Sequence, residues 1–167
     1  ILPLQEPVRI VLRQEAVELE GIEVEVDGAR MSLPEMLEFR ARSIQNGIPR
    51  KATAADLRAF EHQEAEVWDF LPSMNVATGT GCPECMMASG RIPQPKFVVD
   101  DREVSFEEFR SYRVGEICRV DIVTIQIPFG SPEKGLVMAY TCSFLRQVAA
   151  GERRLPIMLP NMWGEAE

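Results

Sequence analysis

The sequence predicts an α+β domain: a small mixed sheet of short strands, two or three short helices, and extended arms at both ends. Three observations lead there. Period-2 alternation recurs in short separated runs, helix-start signals stand between those runs, and proline-broken apolar segments lie at the two termini. The 167 residues suit one domain. A content of 46% hydrophobic and 26% charged residues is globular in character. A chain of this size buries enough surface to fold without disulfides or metals.

Residues 1–19 read as an N-terminal arm and lead-in strand, residues 20–150 as the α+β domain, and residues 151–167 as an apolar tail. Pro3 and Pro7 keep the first eight residues extended. Residues 8–12 form a short β-like run. In residues 19–26, Ile22, Val24 and Val26 alternate with Glu23, Glu25 and Asp27, and Asp27-Gly28 turns the chain. Ser32 with Glu35 makes a capping box, with Pro34 in the first turn; Met36, Leu37, Phe39 and Arg40 carry a helix toward Asn46-Gly47. Thr53 and Asp56 cap a second helical run, with Leu57, Phe60, Ala65, Val67, Trp68 and Leu71. It reads as two short helices split near His62-Gln63 and ending before Pro72.

Residues 76–95 are rich in Gly, Pro, Ser, Thr and Cys without periodicity, which predicts a long loop. Phe97-Val98-Val99-Asp100 is a buried strand closing at Asp101-Arg102, and Ser105 with Glu108 opens a helix through Phe109 and Tyr112. The strongest strand spans residues 117–127. Val120 and Ile122 alternate there with Arg119 and Asp121, expected to point outward, before the parity changes at Ile125; a bulge or a strand covered on both faces explains the change. A second apolar run, residues 135–145, follows the turn Pro128-Phe129-Gly130-Ser131-Pro132.

Eighteen Lys and Arg against 26 Asp and Glu leave a net charge of −8. That balance argues against nucleic-acid binding, which needs a basic face, and against electrostatic docking on anionic lipid. No stretch approaches the roughly 20 apolar residues of a membrane-spanning helix. Ile1 is not a methionine, which fits a removed leader or a start inside a longer chain; after a cleaved secretory signal the compartment is oxidising.

The sharpest local motif is Cys82-Pro83-Glu84-Cys85, with Cys118 and Cys142 on the two strongest apolar runs. A Cys-x-x-Cys pair closes a disulfide, supplies half a zinc site, or forms a redox dithiol. No second such pair and no paired histidines complete a zinc site. The expected state is disulfide, and four cysteines allow three pairings between which spacing does not choose. His62, the sole histidine, reads as a solvated helix residue among Glu61, Glu64 and Glu66. Those carboxylates, with Glu103, Glu107 and Glu108, read as wet faces. Gly79-Thr80-Gly81 lacks the Lys-Ser/Thr of a phosphate loop. No catalytic residue, cofactor or metal is expected.

The termini are the better functional clue. Ile1, Leu2 and Leu4 at one end, and Leu155, Ile157, Met158, Leu159, Met162 and Trp163 at the other, are apolar yet broken by prolines that forbid a helix. Such segments pack on their own domain or on a partner, and partner docking is the expectation.

The order of elements resembles the plug domain of TonB-dependent outer-membrane receptors. Gly21-Ile22-Glu23-Val24-Glu25-Val26 is similar to the plug's lead-in strand, and residues 69–76 to its helix end. Residues 97–104 are similar to its aspartate turn, residues 114–123 to its long strand, and Phe129-Gly130 with residues 135–141 to its final turn and strand. Met74-Asn75 stands where the family favours Gly, and Asp121-Ile122 where it ends its strand in Lys-Gly. No barrel pattern follows and no TonB box opens the chain, so the resemblance, shared with barrel-less plug-like envelope proteins that carry a carboxypeptidase-regulatory-like strand, implies a fold and an envelope location. The expected function is therefore a non-enzymatic, periplasmic scaffold subunit, peripheral to a membrane, that docks on an integral-membrane complex; extrinsic subunits of photosynthetic or respiratory assemblies are one setting. The alternative is a plug-like ligand-binding module or fragment of a TonB-dependent uptake system, with the 76–95 loop on the ligand.

Overall fold

A computed structural model describes residues 23–26, 29–44, 47–79, 81–88, 90–125 and 134–156. The fold is α+β, as the sequence predicts. Helices cover both faces of a five-stranded mixed sheet. The chain runs β1 (Glu23–Val26), β2 (Ala29–Ser32), α1 (Leu33–Arg42), β3 (Gly47–Ala52), α2 (Ala54–Ala59), α3 (Val67–Phe70), then a 3-10 turn (Leu71–Met74). It continues through β4 (Ala77–Thr78), β5 (Met86–Met87), β6 (Arg91–Ile92), β7 (Lys96–Val99), β8 (Arg102–Val104) and α4 (Phe106–Ser111). A second 3-10 turn (Val114–Glu116) leads into β9 (Ile117–Ile125), β10 (Lys134–Thr141) and α5 (Cys142–Ala149).

The main sheet has the order β3-β9-β10-β7-β8; β10 runs parallel to β7 and every other pair is antiparallel. With β9 at an inner position and helices on both sides, its odd and even residues are both buried. The parity change in the sequence therefore reports a strand covered on both faces. Val120 and Ile122 join Val137 and Ala139 under α2, α3 and α4, around Trp68, Phe97, Phe106 and Phe109. Trp68 meets Phe106 edge-on at 5.0 Å, a geometry aromatic pairs favour. On the other face Val123, Leu136, Met138 and Tyr140 pack against α1 and α5.

Local signals place the helices. Ser32 and Glu35 form the reciprocal capping box of α1, Thr53 and Asp56 that of α2, and the Ser105 hydroxyl accepts the Glu108 N–H at the start of α4. In α1, Leu33, Met36, Leu37, Arg40 and Ala41 are buried, the spacing of one helical face. The helix stops at Arg42, short of the expected Asn46-Gly47. The second helical run is indeed split, and the 3-10 turn carries the chain through Pro72 rather than ending before it.

Seven elements differ from expectation. Strands β2, β3 and β8 and helix α5 lie where the sequence suggested none. Strand β3 contains Pro49, Arg50 and Lys51, residues that suit an edge strand because an edge needs no second ladder and must resist pairing. Residues 76–95 are not a structureless loop: β4, β5 and β6 form a small antiparallel sheet. It seats Met86 and Ile92 against Gly135 at the start of β10, where an added Cβ would lie 2.9 Å from Ile92 Cδ1. The expected strand at residues 8–12 and the turns at 27–28 and 128–132 lie outside the described residues.

Candidate functional site

All four cysteines are paired, Cys82 with Cys85 and Cys118 with Cys142. The second pair joins β9 to the first residue of α5, so Cys142 opens a helix rather than lying on a strand. The neighbouring residues Ile117 and Thr141 face each other in the β9–β10 ladder, which brings the two cysteines within reach. The Cys82–Cys85 pair closes the turn between β4 and β5. The Cys85 N–H donates to the Cys82 carbonyl at 3.1 Å and the Gly79 N–H to the Cys85 carbonyl at 2.9 Å. Disulfides form and persist in oxidising compartments, so two of them fit an extracytoplasmic setting.

The β7–β8 hairpin turns through Asp100 and Asp101, with φ of +50° and +67°. Both residues are left-handed, as a type I′ turn requires, and such turns favour Asn-Gly or Asp-Gly. Here both side chains have work. Asp100 accepts the Thr141 N–H and the Thr141 hydroxyl, each at 2.7 Å, and Thr141 in turn caps α5 by accepting the Phe144 N–H. Asp101 pairs with Arg40 of α1. The Arg40 side chain is 0% exposed, and its Nε and Nη1 have no hydrogen-bond partner among the described residues. One turn thus fastens the start of α5 and the end of α1 to the same corner of the sheet.

Arg119 and Asp121 correct the expectation of an outward pair. They are 5% and 1% exposed, covered on the α1 face, and joined by two hydrogen bonds of 2.6 and 2.9 Å. Alternation with Val120 and Ile122 suggested a wet face; the covering helix makes it an interior one. Burial pushes the Asp121 carboxyl above its usual range, with the Arg119 hydrogen bonds opposing. Asp121 lines a cleft of about 300 Å³ between α1 and β3, where Lys51 pairs with Glu38. Both Asp121 oxygens are already bonded to Arg119, so the group is a held ion pair rather than a free base. Burial also keeps the Tyr140 hydroxyl neutral, far above its ordinary value. These interior charges carried no local signal in the sequence.

A larger, open cleft of about 590 Å³ lies between β3, α2 and the 3-10 turn, with Arg50 and Asp56 at the rim and Phe60, Phe70 and Met74 within. His62 sits in the α2–α3 connection rather than on a helix, exposed and edge-on to Phe60. Glu66 pairs with Arg110 at 2.6 Å, Glu103 with Lys96 at 3.3 Å, and Glu108 with Arg102. Among the described residues no group of three His, Cys, Asp or Glu could hold a metal ion, and no helix is long and apolar enough to cross a membrane.

Of the expected docking residues, Leu155 is 7% exposed and packs into the α1–α5 core, so its apolar surface is already used by its own domain. Ile1, Leu2, Leu4, Ile157, Met158, Leu159, Met162 and Trp163 lie outside the described residues. Compared with protein-family models, curated proteins and solved structures, the chain finds no match.

Proposed function

We propose that the chain is a non-enzymatic periplasmic interaction subunit: a disulfide-bonded α+β body that docks on an integral-membrane protein assembly from the aqueous side. The observation that carries this reading is the pairing of all four cysteines in a domain large enough to fold without them. The apolar, proline-broken segments at residues 1–4 and 157–163 supply candidate docking surface. Two backbone conformations support the plug-like part of this reading. Asn75 takes a φ of +59° where the plug pattern favours Gly, and Asp101 one of +67° in the aspartate turn, both positions that demand left-handed backbone.

The test is gentle detergent extraction from the native source, followed by mass spectrometry of what co-migrates. Stoichiometric co-migration with one integral-membrane complex is expected, and removal of residues 157–167 should abolish it while leaving the fold intact. Migration as a lone monomer overturns the reading. A plug-like ligand-binding module of an uptake system is the second reading, favoured by the disulfide-clipped β4–β6 sheet, which holds Met87 40% exposed.

A further inference from the structure

The two disulfides have different tasks. Cys118–Cys142 links residues 24 apart in sequence and ties a sheet strand to a helix. Cys82–Cys85 links residues three apart, inside a turn whose backbone hydrogen bonds already hold its shape. The short bridge therefore adds little to the architecture. Its surroundings suit chemistry better. The Pro93 carbonyl oxygen lies 3.7 Å from Cys82 Sγ and 3.6 Å from Cys85 Sγ. A disulfide sulfur carries no hydrogen, so these two sulfurs can donate to that oxygen only after reduction, when an S–H is present. Cys82 is half-buried between exposed Gly81 and Pro83, whereas Cys85 is 1% exposed. An attacking thiolate thus reaches Cys82 and expels Cys85. The Arg91 guanidinium lies over Gly81, within 2.8 Å of where a Cβ would stand, and a cation beside the turn favours thiolate approach. The bridge lies in the turn itself, flanked by Gly79 and Gly81 at φ of +71° and +90°, so opening it leaves Met86 and Ile92 seated against Gly135 and the five-stranded sheet in place.

We propose that Cys82–Cys85 is a thiol–disulfide exchange site, opened by an external dithiol and closed again by the reverse exchange with that reagent's disulfide form, while the domain stays folded. One thiolate of the dithiol attacks Cys82 Sγ, forming a mixed disulfide and releasing Cys85 as a thiolate that takes up a proton. The second thiol of the reductant then attacks its own mixed-disulfide sulfur and frees Cys82, which is protonated in turn. Two electrons and two protons pass from the dithiol to the protein, and the dithiol leaves as its disulfide. Opening frees both sulfurs, and the new S–H groups can bond the Pro93 carbonyl.

The test incubates the full chain with graded ratios of reduced to oxidised dithiothreitol, alkylates the free thiols, and locates them by mass spectrometry alongside near-ultraviolet circular dichroism. Cys82 and Cys85 should become alkylated at ratios that leave Cys118 and Cys142 paired and the native spectrum unchanged, and reoxidation should reverse this. Arg91→Ala should slow the opening a few-fold at low salt with the spectrum unaltered. The proposal fails if Cys82–Cys85 stays closed until the native signal is lost, or opens only together with Cys118–Cys142. Cys82→Ser/Cys85→Ser should retain the native spectrum; loss of it would show the bridge to be structural and overturn the proposal equally.

Discussion

Asp101 adopts a backbone conformation that most side chains avoid, and its carboxylate explains why glycine does not replace it: the fully buried Arg40 has no other ion-pair partner among the described residues. Removing one partner of a buried pair leaves an uncompensated charge, whereas replacing the buried partner by an apolar side chain removes the problem. Asp101→Ala should therefore destabilise the domain by about 3 kcal/mol, measured by urea unfolding. Arg40→Met should cost clearly less, because it also removes the two buried nitrogens left without a partner while Asp101, 20% exposed, keeps access to water. Equal costs for the two variants would show that the ion pair is not what holds this corner. Neither residue was conspicuous in the sequence. Arg40 reads as one more helix residue, and Asp101 as an ordinary turn aspartate, until the fold brings them together across 61 positions.

Helix starts were legible because a cap is a local device, complete within four residues. Those same caps couple helix formation to pH. Hydrogen bonds from the Ser32 hydroxyl and N–H hold Glu35 below its ordinary 4.5, and those from Thr53 hold Asp56 below its ordinary 3.8. Lys51 lowers Glu38 in the same way. A depressed folded-state value contributes stability above the unfolded value, and that stability is lost as pH falls through the folded one. Buried Asp121 acts in the opposite sense: its raised value favours the fold at low pH, and that contribution fades as pH rises. The melting temperature of Glu35→Ala/Asp56→Ala should consequently fall less steeply than that of the unaltered chain between about pH 6 and about pH 2. Parallel curves would remove the caps as a source of acid sensitivity. The short strands β2, β3 and β8 and helix α5 escaped sequence reading for the converse reason. The three strands are three to six residues long without clear alternation, and α5, though capped by Thr141, begins inside the apolar run that also carries β10.

The two apolar cores share one sheet, since β9 and β10 send alternate residues to each. Loosening one face removes support from the other, so the domain should unfold as a single transition. Leu37→Ala under α1 and Leu71→Ala on the opposite face should each cost about 2–5 kcal/mol and shift the same urea midpoint. Tryptophan fluorescence and far-ultraviolet circular dichroism should then coincide, and two separated transitions would show independent halves. The sequence by itself determined the α+β class, the caps of α1, α2 and α4, the break between α2 and α3, and the existence of the 117–125 strand, because periodicity and capping act over a few residues. Tertiary structure alone decided the cysteine pairing, the interior position of Arg40, Arg119 and Asp121, the small sheet within residues 76–95, and the turn that fastens two helices. Each of these depends on which segments become neighbours, and that is set by the packing of two cores against one sheet rather than by any local run of residues.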